Sequence, residues 1–229
     1  MKAIPLFFAL QLAVLFSVAG CSKRASAATD TTGLSWLALG DSYTIGESVR
    51  AEDRYHAQTA ALLRAHQLIA ATPQYIARTG WTTTDLQDAM GRASIADRYD
   101  IVSLLIGVND QFQGMDTAGY RVHFTQLLQH AIQLAGDRSA HVFVVSIPDY
   151  GVTPFGGGAA RIGKEIDQFN RINREISMAY KVNYTDITAI SREAATDQSL
   201  TAPDGLHPSA KQYARWSLLL DPAIRDALK

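Results

Sequence analysis

Three short runs, far apart in the chain, carry the side chains that acyl transfer needs: Gly40-Asp41-Ser42, Gly107-Val108-Asn109 and Asp204-Gly205-Leu206-His207-Pro208. A serine hydroxyl is a weak nucleophile at neutral pH and needs a base within hydrogen-bond reach. His207 is the candidate base, taking the Ser42 proton during attack and returning it to the leaving group. Asp204, three residues earlier in a tight glycine-containing turn, is suited to hold the imidazole tautomer and to stabilise an imidazolium. Negative charge developing on a carbonyl oxygen needs fixed donors, and the candidates are the Ser42 N–H, the Gly80 N–H and the Asn109 side-chain amide. Each residue also has a purely structural reading. Ser42 and Asn109 could be turn or cap residues, Asp204-Gly205 a plain turn, and His207 a surface histidine.

Residues of such different sequence position must be brought together by the elements around them. Apolar strand-like runs at 34–39, 74–78, 101–106, 141–147 and, more weakly, 182–184 alternate with segments of helical period. That alternation predicts βαβ units, a parallel sheet covered on both faces, and a single three-layer α/β domain. Helices are expected over 55–68, 83–90 and 209–220, the last stopping before Pro222. Two more are read from faces: Tyr120, Phe124, Leu127, Leu128, Ala131 and Ala135 in one, and Ile162, Ile166, Phe169, Ile172, Ile176 and Tyr180 in the other. In the second, Arg161, Glu165, Arg171 and Glu175 are expected to pair across turns on the solvated side. Ligands of open α/β sheets bind at the carboxyl ends of the strands. Ser42, Gly80 and Asn109 follow the first three predicted strands, and the 204–207 segment falls between the last strand and the last helix, so all are expected on one rim.

With Gly80 and Asp110 added, these runs resemble the four sequence blocks of the SGNH (GDSL) hydrolase family, over residues 34–213. The resemblance implies a flavodoxin-like sheet of about five strands and metal-independent ester hydrolysis through an acyl-enzyme. It implies Ser42 as nucleophile, Gly80 and Asn109 as oxyanion donors, and Asp204 with His207 as the remaining pair. The second block, Ala77-Arg78-Thr79-Gly80-Trp81-Thr82, lacks the Asn that often precedes this glycine. The family includes lipases, lysophospholipases, thioesterases and carbohydrate O-deacetylases, so the resemblance leaves the ester open.

Composition limits the partners. The 229 residues are 47% apolar and 19% charged with net charge −1, which excludes a disordered chain and gives no basic footprint for nucleic acid. A small-molecule ester is the expected partner; no cofactor is implied, and no His, Cys and carboxylate spacing reads as a metal site. The oligomeric state is not legible. The segment 149–158 reads as a mobile surface loop bordering the substrate pocket, with Tyr150 and Phe155, together with Trp81 and Phe112, as candidate substrate contacts. His56, His66, His123, His130 and His141 read as structural or solvated. The run 158–164 has phosphate-loop spacing, but Glu165 stands where a magnesium-binding Ser or Thr is required, so nucleotide binding is rejected.

The N-terminus carries an address. Lys2 precedes an apolar run and the small residues Val18, Ala19 and Gly20, so residues 1–20 read as an export signal and 33–229 as the domain. Val18-Ala19-Gly20-Cys21 resembles the bacterial lipoprotein signal, which implies lipidation of Cys21, the sole cysteine, and a membrane anchor followed by a polar tether over 21–32. Ser22 after the cysteine favours the outer membrane in a two-membrane bacterium. Against the exported enzyme stands one alternative of another class, a non-catalytic envelope-binding lipoprotein on the same scaffold.

Overall fold

The computed structural model describes residues 33–229; the expected export signal, the expected lipidation site Cys21 and the expected tether lie outside the described residues. Five strands, β1 (Trp36–Gly40), β2 (Gln74–Ala77), β3 (Ile101–Leu105), β4 (Val142–Val145) and β5 (Asn183–Thr185), form one parallel sheet in the order β2-β1-β3-β4-β5. Every residue of β1, β3 and β4 is buried, as strands covered on both faces must be, and only β2 and β5 at the edges have residues that are less than fully buried. All five expected strands are present.

The helices are α1 (Ser42–Ile45), α2 (Tyr55–Ala65), α3 (Thr83–Arg92), α4 (Val108–Phe112), α5 (Thr117–Leu134), α6 (Ala160–Ala179), α7 (Thr188–Arg192) and α8 (Ala210–Ala227). α2 packs on α8, while α5 packs on both α3 and α6. Right-handed crossovers in this strand order put those two groups on opposite faces of the sheet. The short α1, α4 and α7 have too few residues to show a period and were not expected.

Three expectations need correction. α8 does not stop before Pro222 but runs through it to Ala227. Proline removes one ladder hydrogen bond, at a cost of about 3 kcal/mol. Buried Trp216, Leu220 and Ile224 dock both sides of it on the core and offset that loss. α2 ends at Ala65 rather than near residue 68, because the chain leaves through Gln67 in left-handed conformation. On α6 only Arg161 and Glu165 pair, at 2.6 Å; Glu175 instead reaches across to Arg121 of α5.

The order β2-β1-β3 reverses the direction of winding between β1 and β3, and such a reversal opens a crevice at the carboxyl ends of those strands. Two glycines shape that crevice. At Gly40 a Cβ would collide with the Leu105 carbonyl of the adjacent strand and with the Thr44 side chain. At Gly107, with φ of +123°, it would strike the Tyr120 hydroxyl.

Candidate active site

Gly40-Asp41-Ser42 forms a turn, a cap and a presented hydroxyl. Gly40 ends β1, Asp41 caps α1 by accepting the Tyr43 N–H on Oδ1 at 2.9 Å, and Ser42 opens the helix at the crevice. Ser42 therefore sits on a strand-to-helix turn. Tyr213 of α8 fixes the short helix by donating its hydroxyl to the Tyr43 carbonyl at 2.9 Å. Asp41 is fully buried and its Oδ2 has no partner. Burial pushes its carboxyl up to about 8; the Tyr43 N–H opposes this and the neighbouring Asp110 adds to it.

The loop carrying His207 is built around Asp204. Asp204 Oδ1 accepts the N–H groups of Leu206 at 2.9 Å and His207 at 3.0 Å, so the carboxylate closes its own turn. Its Oδ2 lies 2.6 Å from His207 Nδ1. A neutral imidazole donating from Nδ1 leaves Nε2 free to accept a proton. The Ser48 hydroxyl donates to the same Oδ2 at 2.6 Å from a left-handed residue just after α1. Partial desolvation works against the Asp204 carboxylate. The hydrogen bonds from Ser48, His207 and the two backbone amides outweigh it and hold its pKa well below the usual carboxylate range. The Tyr43 ring packs beside the imidazole, centroids 5.2 Å apart.

The third wall comes from β3 and α4. Asn109 Nδ2 donates to the Trp81 carbonyl at 2.9 Å, which fixes the amide and leaves its second hydrogen available. Its neighbour Asp110 is buried and accepts both the backbone N–H and the hydroxyl of Thr83 at the start of α3. Two consecutive residues thus hold both ends of the turn that follows Gly80. Gly80 is exposed, and its N–H makes no hydrogen bond within the chain among the described residues.

Ser42, Tyr43, Asn109, Leu206 and His207 line one pocket of about 100 Å³ together with Phe112, Tyr150 and Phe155. Residues from four separate segments therefore meet at the crevice that the sheet order opens. No hydrogen bond links Ser42 Oγ to His207 among the described residues, as is common where substrate is not bound. A model of the GDSL-like Lipase/Acylhydrolase family matches residues 38–215.

The chain belongs to that family.

This GDSL hydrolase, an enzyme of ester bonds, is similar in fold to several solved structures. The crystal structure of TesA superposes with a TM-score of 0.67 at 17% identity, covering 85% of this chain and 99% of that one. A lipase/acylhydrolase from Enterococcus faecalis gives 0.67 at 22%, over 86% and 97%. The acetylxylan esterase Axe2 from Geobacillus stearothermophilus gives 0.63 at 22%, over 86% and 94%. No curated protein matches the sequence.

Of the four aromatic contact candidates, Phe112, Tyr150 and Phe155 line the pocket, with ring centroids 6.2 to 6.3 Å apart. Trp81 does not line it; its carbonyl is occupied in holding Asn109. The segment after β4 is pinned: Asp149 N–H donates to Ser191 Oγ, Asp149 Oδ1 accepts Gly151 N–H, and Phe155 N–H donates to the Gly205 carbonyl beside His207. Of the GDSL hydrolase's remaining histidines, His56 is wholly buried against Ser103 and held neutral by desolvation, with the Arg54 charge adding to the effect. His141 bonds the Asp100 carbonyl. Among the described residues no cluster of His, Cys and carboxylates is arranged to hold a metal ion. Sequence reasoning missed Ser48 and Thr83, whose residue types carry no signal because only the fold brings them to Asp204 and Asp110.

Proposed function

We propose that this enzyme is an exported serine esterase that cleaves a carboxylic ester through an acyl-enzyme on Ser42. His207 Nε2 takes the Ser42 proton as Oγ attacks the carbonyl, and Asp204 holds the imidazole from the Nδ1 side. The oxyanion is received by the N–H groups of Ser42 and Gly80 and by the free hydrogen of Asn109 Nδ2, each worth about 3 kcal/mol of barrier. The imidazolium then protonates the departing alcohol, and water repeats the sequence to release the acid. The observation that carries this reading is the 2.6 Å contact between His207 Nδ1 and an Asp204 carboxylate kept ionised by Ser48 and two backbone amides, in the pocket that Ser42 lines. A pocket of about 100 Å³ holds roughly three or four non-hydrogen atoms, so it favours a short acyl group over a lysophospholipid or fatty thioester chain. The reading extends to location: Cys21 is lipidated and tethers the domain to a membrane outside the cytoplasm.

Purified protein should release p-nitrophenol from p-nitrophenyl acetate and be labelled by a fluorophosphonate. Ser42→Ala should abolish labelling and lower turnover by about a thousandfold or more. Unchanged turnover in that variant sinks the mechanism, and a wild type that neither turns over nor labels returns the chain to the binding-protein alternative.

A further inference from the structure

The pocket beside Ser42 is too small for a whole ester, and Phe112, Tyr150 and Phe155 separate it from a second, larger groove. That groove, about 520 Å³, runs between the α4–α5 junction and the first turns of α6. It lies within the size range of small-molecule sites. Its wall is polar and internally braced. Glu165 receives Arg161 at 2.6 Å on one oxygen and Gln111 Nε2 at 2.7 Å on the other, while Gln168, one helical turn further on, is exposed. Its rim is aromatic: Phe112 and Phe155 are 60% and 57% exposed, large apolar rings left open to solvent at the junction of the two spaces.

We infer that this groove is the leaving-group site of the esterase and that it takes an uncharged polyhydroxylated alcohol, so that the substrate is a short-chain ester of a carbohydrate-like polyol. The inference rests on the esterase reading above. A hydroxyl both donates and accepts, and a wall that offers a guanidinium, a carboxylate and amides side by side matches many hydroxyls. The charges on the wall, Asp116, Arg161 and Glu165, are mixed in sign, which suits a neutral ligand rather than a phosphate or a cation. Exposed aromatic faces at the entrance suit the C–H faces of a sugar ring. A long acyl chain would instead require a continuous apolar trough, and beyond the aromatic rim Met115, Ile162 and Phe169 are interrupted by Asp116, Glu165 and Gln168.

The test compares mono-O-acetylglucose with ethyl acetate, whose leaving group is too short to reach the groove. Arg161→Ala combined with Gln168→Ala changes two exposed side chains, so folding is not at stake. The ratio of kcat/KM for the sugar ester to that for ethyl acetate should fall at least tenfold. A ratio that stays within twofold overturns the site, as does a wild type preferring an octanoyl ester to the acetyl sugar. Calorimetric binding of mono-O-acetylglucose to Ser42→Ala protein, with and without the two groove substitutions, gives a readout independent of turnover. Tenfold weaker binding in the substituted protein supports the groove even if wild type proves inactive, which would fault only the esterase reading; equal binding faults the groove itself.

Discussion

Asp41 joins two demands that conflict at a single residue. As the cap of α1 it must offer Oδ1 to the Tyr43 N–H, and at the carboxyl end of the interior strand β1 it must be buried, with Oδ2 unpartnered and Asp110 nearby. Burial, the larger effect, raises the carboxyl to about 8 in the folded protein from an ordinary value near 3.8. Between roughly pH 4 and 8 the unfolded chain loses this proton while the folded chain retains it, so stability falls as pH rises through that window. The slope approaches about 1.4 kcal/mol per pH unit at its steepest. Asn caps a helix as well as Asp and does not titrate. Asp41→Asn should therefore flatten the decline, with a higher urea midpoint than wild type at pH 8 and a much smaller difference at pH 4. Parallel decline of both proteins would show that Asp41 ionises normally. Asp204 illustrates the opposite balance, a partly exposed carboxylate stabilised as an anion by four donors.

At the scale of elements, the site depends on how α3 and α4 meet. Asn109 and Asp110, successive residues of α4, hold the Trp81 carbonyl and the Thr83 amide and hydroxyl, so the turn that follows Gly80 is held to α4. Thr83→Val removes the hydroxyl donor and leaves part of a buried carboxylate unsatisfied, at about 1 to 3 kcal/mol. We expect a lower melting temperature and a roughly tenfold loss of kcat with little change in KM, both recovered in Thr83→Ser, which keeps the hydroxyl. A loss of stability with kcat intact would assign Thr83 to the fold alone. The major helices and all five strands were legible, because their buried faces repeat at 3.6 residues or their cores are continuously apolar. Helix ends were less so. The extension of α8 past Pro222 is decided by the packing of Leu220 and Ile224, a tertiary term that overrides local propensity.

On the scale of the whole molecule, sheet order does the assembling. β1 and β3 are neighbours although the 60 residues 41–100, which include the edge strand β2, lie between them in the chain, and their carboxyl ends bring Ser42 and Asn109 to one crevice. The proposed tether adds a location to this chemistry. Among the described residues no helix is long and apolar enough to cross a membrane, and the proposed anchor, Cys21, lies outside them. In a bacterial host, Cys21→Ala should move esterase activity from the membrane pellet to the soluble fraction, as fractionation would read; activity that stays in the pellet argues for another anchor. By itself the sequence determined the fold class, the family blocks and the three segments from which the site is built, because strand and helix patterns and a nucleophile with its base are local or type-specific signals. Only the tertiary structure decided that Trp81 positions Asn109 instead of facing the pocket, that Ser48 and Thr83 serve buried or paired carboxylates, and that a small pocket opens onto a polar groove. Those are relations between side chains distant in sequence, and no local pattern encodes the space left between elements once they have packed.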